Sequence, residues 1–357
     1  MSTKDTSIYI KNVYHMLAYA FRELRMAEFE DLAGEEFERM HDLFAAILTR
    51  GIARLVKQGL YREYVGRIEN LSTVRGKIEL EGTLRNRIAH MQRISCEYDE
   101  LSENNLLNQV LKTAAMLLLR HGKLDEKRRM ELRRMMPFFS DVDEIDPVAI
   151  RWDTVRFQRN SLSYRVLMNV CRLMFSGMLL TTDKGRHKLA KFVDDQHMSR
   201  LYEKFILEYY AVECDYVRVS SPQIKWALDD GHGTLLPVMQ SDVTLSRGNT
   251  VLIIDAKYYS HVMQQSYDTQ TIHSSNLYQI FTYVKNKEAE LANAGTQHTV
   301  AGMLLYARTD ETVQPDEIYQ MSGNQISVRT LDLNKPFDEI KSQLDGIAED
   351  HFAEAIE

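Results

Sequence analysis

The chain has 357 residues, enough for two domains that each bury a core. Its composition is that of an ordinary globular protein, 44% hydrophobic and 27% charged with six prolines. The net charge of −7 excludes a protein that grips duplex DNA by its own overall charge, because such binding rests on Lys and Arg neutralising phosphates.

In chain order, Met1–Thr6 are polar and read as a loose lead-in. Ile8–Asn12 then precede a helix over Val13–Leu24, with Asn12 as its N-cap and Met16, Leu17, Tyr19, Ala20 and Leu24 on an apolar face. A second helix covers Phe37–Gln58 and ends at Gly59. From Leu60 to Leu84 the pattern shortens to strands. Thr73–Leu80 reads as a β segment interrupted by Gly76. Arg75 and Lys77, on either side of that glycine, are either a solvated turn or a projecting element that meets a partner or DNA. Met91–Leu101 is a further strand region, and Ser102–Asn105 cap an amphipathic helix over Leu106–Arg120. Asp125–Met136 is a charged helix whose Arg128, Arg129, Arg133 and Arg134 make a solvated basic face, stopped by Pro137. The acidic loop Asp141–Pro147 is the expected domain boundary, giving a first domain over 1–150 and a second over 151–357. Leu162–Leu180 is an apolar helix, expected beneath the sheet of the second domain or between the two domains, and a polar linker follows near Thr181–Lys188. Helical segments at Leu201–Tyr210 and Ser275–Tyr283, buried strands at Thr299–Tyr306 and Gln325–Leu331, and a terminal helix over Pro336–Ala355 complete the chain.

The stretch Leu236–Tyr259 carries the chemistry. Val251–Ile254 is apolar and β-branched enough for a buried strand, yet it runs into Asp255-Ala256-Lys257. A carboxylate and an ammonium two positions apart share one face of a strand, and both are expensive to desolvate without partners. A four-residue turn over Ser246–Asn249 would pair Leu245 with Thr250 and Asp242 with Ile253, placing Asp242 on the face of Asp255 and Lys257. Two converging carboxylates suit Mg²⁺, which takes one or two and keeps waters for a substrate phosphate, and a lysine can orient a water or neutralise developing charge. The pattern is that of phosphodiester hydrolysis. Gln279 and Tyr283, four apart, lie on one face of the following helix. Glu203, on the preceding helix, is either a further metal-side carboxylate or a solvated one.

Other chemistries are excluded. There is no GxxxxGK[ST] phosphate loop, so the chain should not bind a nucleotide through one. The eleven histidines form no HxxxH or HExxH cluster. Cys96, Cys171 and Cys214 are far apart and make no CxxC pair, which fits a reducing cytoplasm, and apolar runs such as Met116–Leu119 are too short for a bilayer.

The order helix, hairpin, strand, helix around D…DxK resembles the PD-(D/E)xK nuclease core, with Gln279-x-x-x-Tyr283 similar to the accessory motif of RecB-like members. Six strings extend the likeness over nearly the whole chain: Ile10–Ala20, Arg75–Glu79, Leu101–Asn108, Ser241–Thr244, Ile254–Tyr259 and His273–Gln279. By these the sequence resembles the McrC family, the nuclease subunits of McrBC-type (type IV, modification-dependent) restriction systems. Ser241 stands where the motif has proline. The resemblance implies an α/β protein, with an α+β N-terminal domain ahead of a restriction-endonuclease-like core of mixed sheet flanked by helices. It implies a partner, an McrB-type AAA+ ring that binds and hydrolyses GTP, recognises duplex DNA with methylated cytosine, and is stimulated by the N-terminal domain, for which Arg75 and Lys77 are the candidates. In the core, Asp242 and Asp255, with Glu203 as the further acid, would hold Mg²⁺; Lys257 would act on the water, and Gln279 would support the site. Two rival readings stand beside this one: a stand-alone RecB-like repair nuclease, and a non-catalytic factor that only activates the GTPase.

Overall fold

The computed structural model describes residues 3–21, 24, 27–157, 161–181, 187–189, 195–258, 263–266, 269–293, 295, 297–308 and 314–353. The chain begins with α1 (Thr3–Ala20), α2 (Ala27–Gly34), α3 (Met40–Gln58), β1 (Glu63–Leu71), β2 (Lys77–Ile78), α4 (Leu80–Ile88) and β3 (Ile94–Ser102). It continues through α5 (Leu106–His121), α6 (Glu126–Met135), α7 (Leu162–Met178), the hairpin β4 (Leu179–Thr181) and β5 (His187–Leu189), and α8 (Asp195–Glu213). The remainder is β6 (Arg218–Ser220), β7 (Gln223–Ile224), β8 (Met239–Gln240), β9 (Val243–Arg247), β10 (Thr250–Lys257), β11 (Met263–Ser266), β12 (Thr269–Ile272), α9 (Ser274–Asn293), β13 (Thr299–Ala307), β14 (Glu317–Met321), β15 (Asn324–Leu331) and α10 (Phe337–Phe352).

These elements form two compact units, one of residues 41–175 and 179–189, the other of residues 1–40, 176–178 and 190–357. The division differs from a single boundary near residue 150 for two physical reasons. The acidic loop is not a linker: Lys112 Nζ donates to the carbonyls of Phe139 (3.0 Å) and Val142 (2.6 Å), and Ile145 N–H donates to Thr113 Oγ1, so α5 pins it down. The N-terminal helix belongs to the later unit. Asn12 is no N-cap but lies inside α1, buried, with Nδ2 donating to the carbonyls of Leu333 (2.7 Å) and Lys335 (2.8 Å). Tyr19 adds a 2.6 Å hydrogen bond to Glu213. The helix also starts earlier and stops sooner than its periodicity suggests, running from Thr3 to Ala20.

In the unit of residues 41–175 and 179–189, β1, β3 and β2 make an antiparallel sheet in that order. The helix expected over Phe37–Gln58 runs as α3 and buries Phe44, Ile47, Leu48 and Leu55, while Val56 is half-buried. The β segment expected to run on to Leu80 instead turns into α4, because Glu79 is an N-cap: its carboxylate accepts the N–H groups of Glu81 (2.9 Å) and Gly82 (2.6 Å). Gly76 has φ +69°, and a Cβ there would stand 2.4 Å from the Glu97 carbonyl, so only glycine fits this approach. The basic face of α6 is only half solvated. Arg128 is buried against Glu131, and Arg129 donates to the carbonyls of Leu119 and Gly122, satisfying the end of α5. Most of α7 also belongs to this unit rather than lying beneath the larger sheet, and the expected polar linker includes the β4–β5 hairpin, with residues 182–186 outside the described residues.

The other unit is built on a six-stranded mixed sheet, order β14-β15-β13-β10-β9-β6. Strands β10, β13 and β15 are parallel, and β9, β6 and β14 run antiparallel to their neighbours. Helix α9 packs on it, with Ile280, Tyr283 and Val284 meeting Val251, Ile253, Val300, Leu304, Tyr306, Ile326 and Val328 in one core. The close approach depends on Gly302, where a Cβ would stand 2.8 Å from both Ile280 and Val284. Helix α8 brings Tyr202, Phe205, Ile206, Tyr209 and Tyr210 into the interior, each fully buried. The class is α/β, as expected.

Candidate active site

The site forms where β10 leaves the sheet. Hairpin β9–β10 pairs Thr250 with Arg247, Leu252 with Leu245 and Ile254 with Val243, around a two-residue turn at Gly248-Asn249. The expected four-residue turn is therefore too long, and the register is displaced by two. A displacement of two preserves the side-chain face, so Asp242 still comes to the face of Asp255 and Lys257. Asp242 Oδ2 accepts the Ala256 N–H at 2.9 Å, which ties the start of β9 to the end of β10.

Asp255 is 1% exposed. Lys257 Nζ stands 2.9 Å from its Oδ2 as an ion pair, and beyond the groups of Lys257 and Asp242 the buried carboxylate has little to compensate it. Burial raises the Asp255 pKa, and the Lys257 charge opposes the shift. Asp242 is pushed up to about 8, first by burial and then by the charges of Asp255 and Glu203. Glu203 is raised too, again chiefly by burial; Ser199 donates to it at 3.0 Å, and the charges of Lys257 and Asp255 both reach it. Three acids, on α8, just before β9 and on β10, thus share one electrostatic environment. Among the described residues no three His, Cys, Asp or Glu side chains are grouped closely enough to form a metal site by themselves. Buried, under-satisfied oxygen donors fit a hard divalent cation such as Mg²⁺.

These shifts predict a pH effect. The folded protein holds a proton on Asp242 that the unfolded chain gives up near pH 4, so stability is complete below that pH and is lost as pH rises through about 8. Without divalent cation, the melting temperature should fall between about pH 5 and about pH 8, and Asp242→Asn should flatten that slope. A flat wild-type profile over the same range counts against the shift.

On the other side of Lys257, Nζ donates to Gln279 Oε1 at 3.4 Å, and Gln279 Nε2 donates to Tyr283 Oη at 2.8 Å. The tyrosine fixes the amide so that its oxygen faces the ammonium. Tyr283→Phe should lower cleavage by about three- to tenfold, the worth of one hydrogen bond, without lowering duplex binding. An equal loss of binding would make the residue a substrate contact instead.

The structure thus gathers Glu203, Asp242, Asp255, Lys257 and Gln279 in one unit, and places Arg75 and Lys77 in the other. Arg75 lies over the Tyr98 ring, 4.0 Å from its centroid, and 3.8 Å from Glu100; Lys77 is paired with Glu97 at 3.9 Å and is 82% exposed. The sequence reading misses the buried Asn276, whose Nδ2 donates to Tyr306 Oη at 2.9 Å and anchors the first turn of α9 beside Lys257. The only signal for it is its place in the HSSNLYQ string. Two cavities of about 620 and 560 Å³ lie elsewhere, one by Leu277, Tyr278 and Tyr319, the other by Thr250, Arg329 and His351; neither is lined by the carboxylates, so the titratable groups and not the cavities locate the site.

The chain is similar to known proteins along almost its whole length. It is 26% identical over 343 residues to the type IV methyl-directed restriction enzyme EcoKMcrBC of Escherichia coli K12, covering 94% of this chain and 95% of that protein. Its fold is similar to a chain in the half-complex of Thermococcus gammatolerans McrB AAA+ hexamers with bound McrC, at a TM-score of 0.52 and 19% identity over 97% of this chain and 78% of that one. The match to the McrBC 5-methylcytosine restriction system component family spans residues 3–307 and takes in every side chain of the acidic site; the chain belongs to that family.

Proposed function

We propose that this chain is the Mg²⁺-dependent DNA endonuclease subunit of a GTP-driven restriction complex, which cuts duplex DNA carrying modified cytosine and stimulates the GTPase of an McrB-type AAA+ partner. The observation that carries the nuclease reading is the buried Asp242–Asp255 pair with Lys257 2.9 Å from Asp255. Asp242 and Asp255 would hold the ion once they release their proton, and Glu203 would add negative charge behind them. Mg²⁺ supplies a lowered pKa for a bound water and stabilisation of charge on the scissile phosphate. The Lys257 ammonium, oriented by Gln279, neutralises charge that develops on the phosphate and steers the attacking water.

Activation of the partner is assigned to the unit of residues 41–175 and 179–189 rather than to residues 1–150, with Arg75 and Lys77 as the candidate residues. In its favour, α4 of this unit exposes Leu80 (72%), Leu84 (59%) and Ile88 (80%) one helical turn apart, an apolar stripe of the kind that marks an interface. No helix among the described residues is long and apolar enough to cross a membrane.

The test is to purify the chain with an McrB-type partner and follow cleavage of methylated and unmethylated duplexes with GTP and Mg²⁺. Cleavage of the methylated duplex alone, dependent on partner and GTP, is the expected result. Given the net charge of −7, the isolated chain should bind duplex weakly and cut it negligibly. Efficient cutting of plain DNA by the isolated chain would establish the stand-alone repair nuclease, and GTPase stimulation without cutting would establish the inert assembly factor.

A further inference from the structure

Asp242 occupies a weak point in the backbone. The β9–β10 ladder ends at Val243 opposite Ile254, so Asp242 is the first residue beyond it, and the chain bends there between β8 and β9. A carboxylate that must meet Asp255 across a cation needs a fixed backbone, and the ladder does not provide one.

The preceding residue does. Ser241 is 1% exposed and is held on all sides. Its N–H donates to the Pro222 carbonyl at 3.3 Å, its carbonyl accepts from Ser221 Oγ at 2.7 Å, and its Oγ lies 2.8 Å from Thr244 Oγ1 and 3.5 Å from the Pro222 carbonyl. Thr244 is itself buried at 5% exposure and lies in β9, two residues after Asp242. The hydroxyl pair therefore braces the bend from both sides of Asp242, while Ala256 N–H holds its carboxylate at 2.9 Å. Proline at position 241 would fix φ with its ring; here a hydrogen-bonded serine takes that part.

We propose that Ser241 and Thr244 are positioning residues that set Asp242 for divalent-cation binding, acting through the backbone and not by touching metal or DNA. This rests on the assignment of Asp242 and Asp255 as the cation-binding pair. Supporting groups of this kind typically change metal affinity by about ten- to a hundredfold when removed.

The test is Mn²⁺ titration of the full-length chain followed by electron paramagnetic resonance, with the melting temperature of the metal-free protein measured alongside. Thr244→Val keeps the shape of the side chain and removes the hydroxyl; Thr244→Ser keeps the hydroxyl. Ser241→Ala and Thr244→Val should each weaken Mn²⁺ binding about tenfold. The double variant should be no weaker than Ser241→Ala alone, since that substitution already removes the bond that the two hydroxyls share. Thr244→Ser should bind like wild type. Ser327→Ala removes another buried hydroxyl of the same sheet, one that donates to the Gly302 carbonyl, and should leave Mn²⁺ binding unchanged. Wild-type affinity in Thr244→Val overturns the proposal. So does a loss in Thr244→Ser equal to that in Thr244→Val, or an equal loss in Ser327→Ala, because the effect would then be general loosening. If wild type binds Mn²⁺ no better than Asp255→Ala does, the cation-site assignment itself fails, and the inference with it.

Discussion

Asp255→Ala should abolish cleavage while leaving the chain folded and able to stimulate its partner. The loss should reach at least about 10³-fold, because the substitution removes a cation ligand, the partner of Lys257 and half of the acidic pair together, and each tenfold needs only about 1.4 kcal/mol. The stability change should be small by comparison. Asp255 is 1% exposed, so in the absence of metal it is a buried carboxylate with one compensating charge, that of Lys257. Alanine removes that burden but leaves the Lys257 ammonium, 14% exposed, without its ion-pair partner, so the two effects oppose and the metal-free variant should melt close to the wild-type temperature. Mg²⁺ should raise the wild-type melting temperature, by about 2–4 °C for each kcal/mol of linkage, and should not move the variant. Plasmid cleavage with partner, GTP and Mg²⁺, and thermal melts with and without Mg²⁺, measure both effects. Normal cleavage by the variant at saturating Mg²⁺ would remove Asp255 from the site.

Why the juxtaposition of the acidic residues was legible in the sequence while the division into two units was not comes down to the range of the interactions involved. Asp255 and Lys257 are two apart on one strand, and Gln279 and Tyr283 four apart on one helix, so local geometry alone puts each pair on one face. Even the wrong turn length did no harm, because the error of two residues kept the parity that decides the face of Asp242. Interactions that close over hundreds of residues have no such local trace. Asn12 reads as a helix cap because asparagine favours that position, and nothing near it reveals that its amide serves carbonyls at Leu333 and Lys335. Likewise Asp141–Pro147 looks like a linker by composition, while Lys112 and Thr113 fasten it to α5. The start of α4 was within reach: Glu79 can cap as Asp does, but glutamate is an uncommon N-cap, and the strand-like residues before it carried the reading past it.

The second large effect separates the two units by activity. Lys257→Ala should stimulate GTP hydrolysis normally and fail to cut, because Lys257 lies beside the carboxylates, in the unit to which cleavage is assigned. Arg75→Ala should do the reverse, losing stimulation first and cleavage only as a consequence. A cation presented in trans to a partner's nucleotide can change phosphoryl transfer by roughly 10³–10⁵-fold, which sets the upper limit for Arg75. Its setting matters to this expectation. The Tyr98 ring and Glu100 hold the guanidinium, and Gly76 beside it admits no side chain, so the residue is presented rather than free to swing. Arg75→Lys should therefore fail almost as fully as alanine, since lysine loses the planar stacking on Tyr98. Lys77, 82% exposed with only a 3.9 Å contact to Glu97, is held less firmly, and its loss should matter less. GTP turnover by the partner and DNA cleavage, measured on all four variants, decide the matter. If Lys257→Ala lost stimulation while Arg75→Ala and Lys77→Ala retained it, the two activities would not divide between the units as proposed.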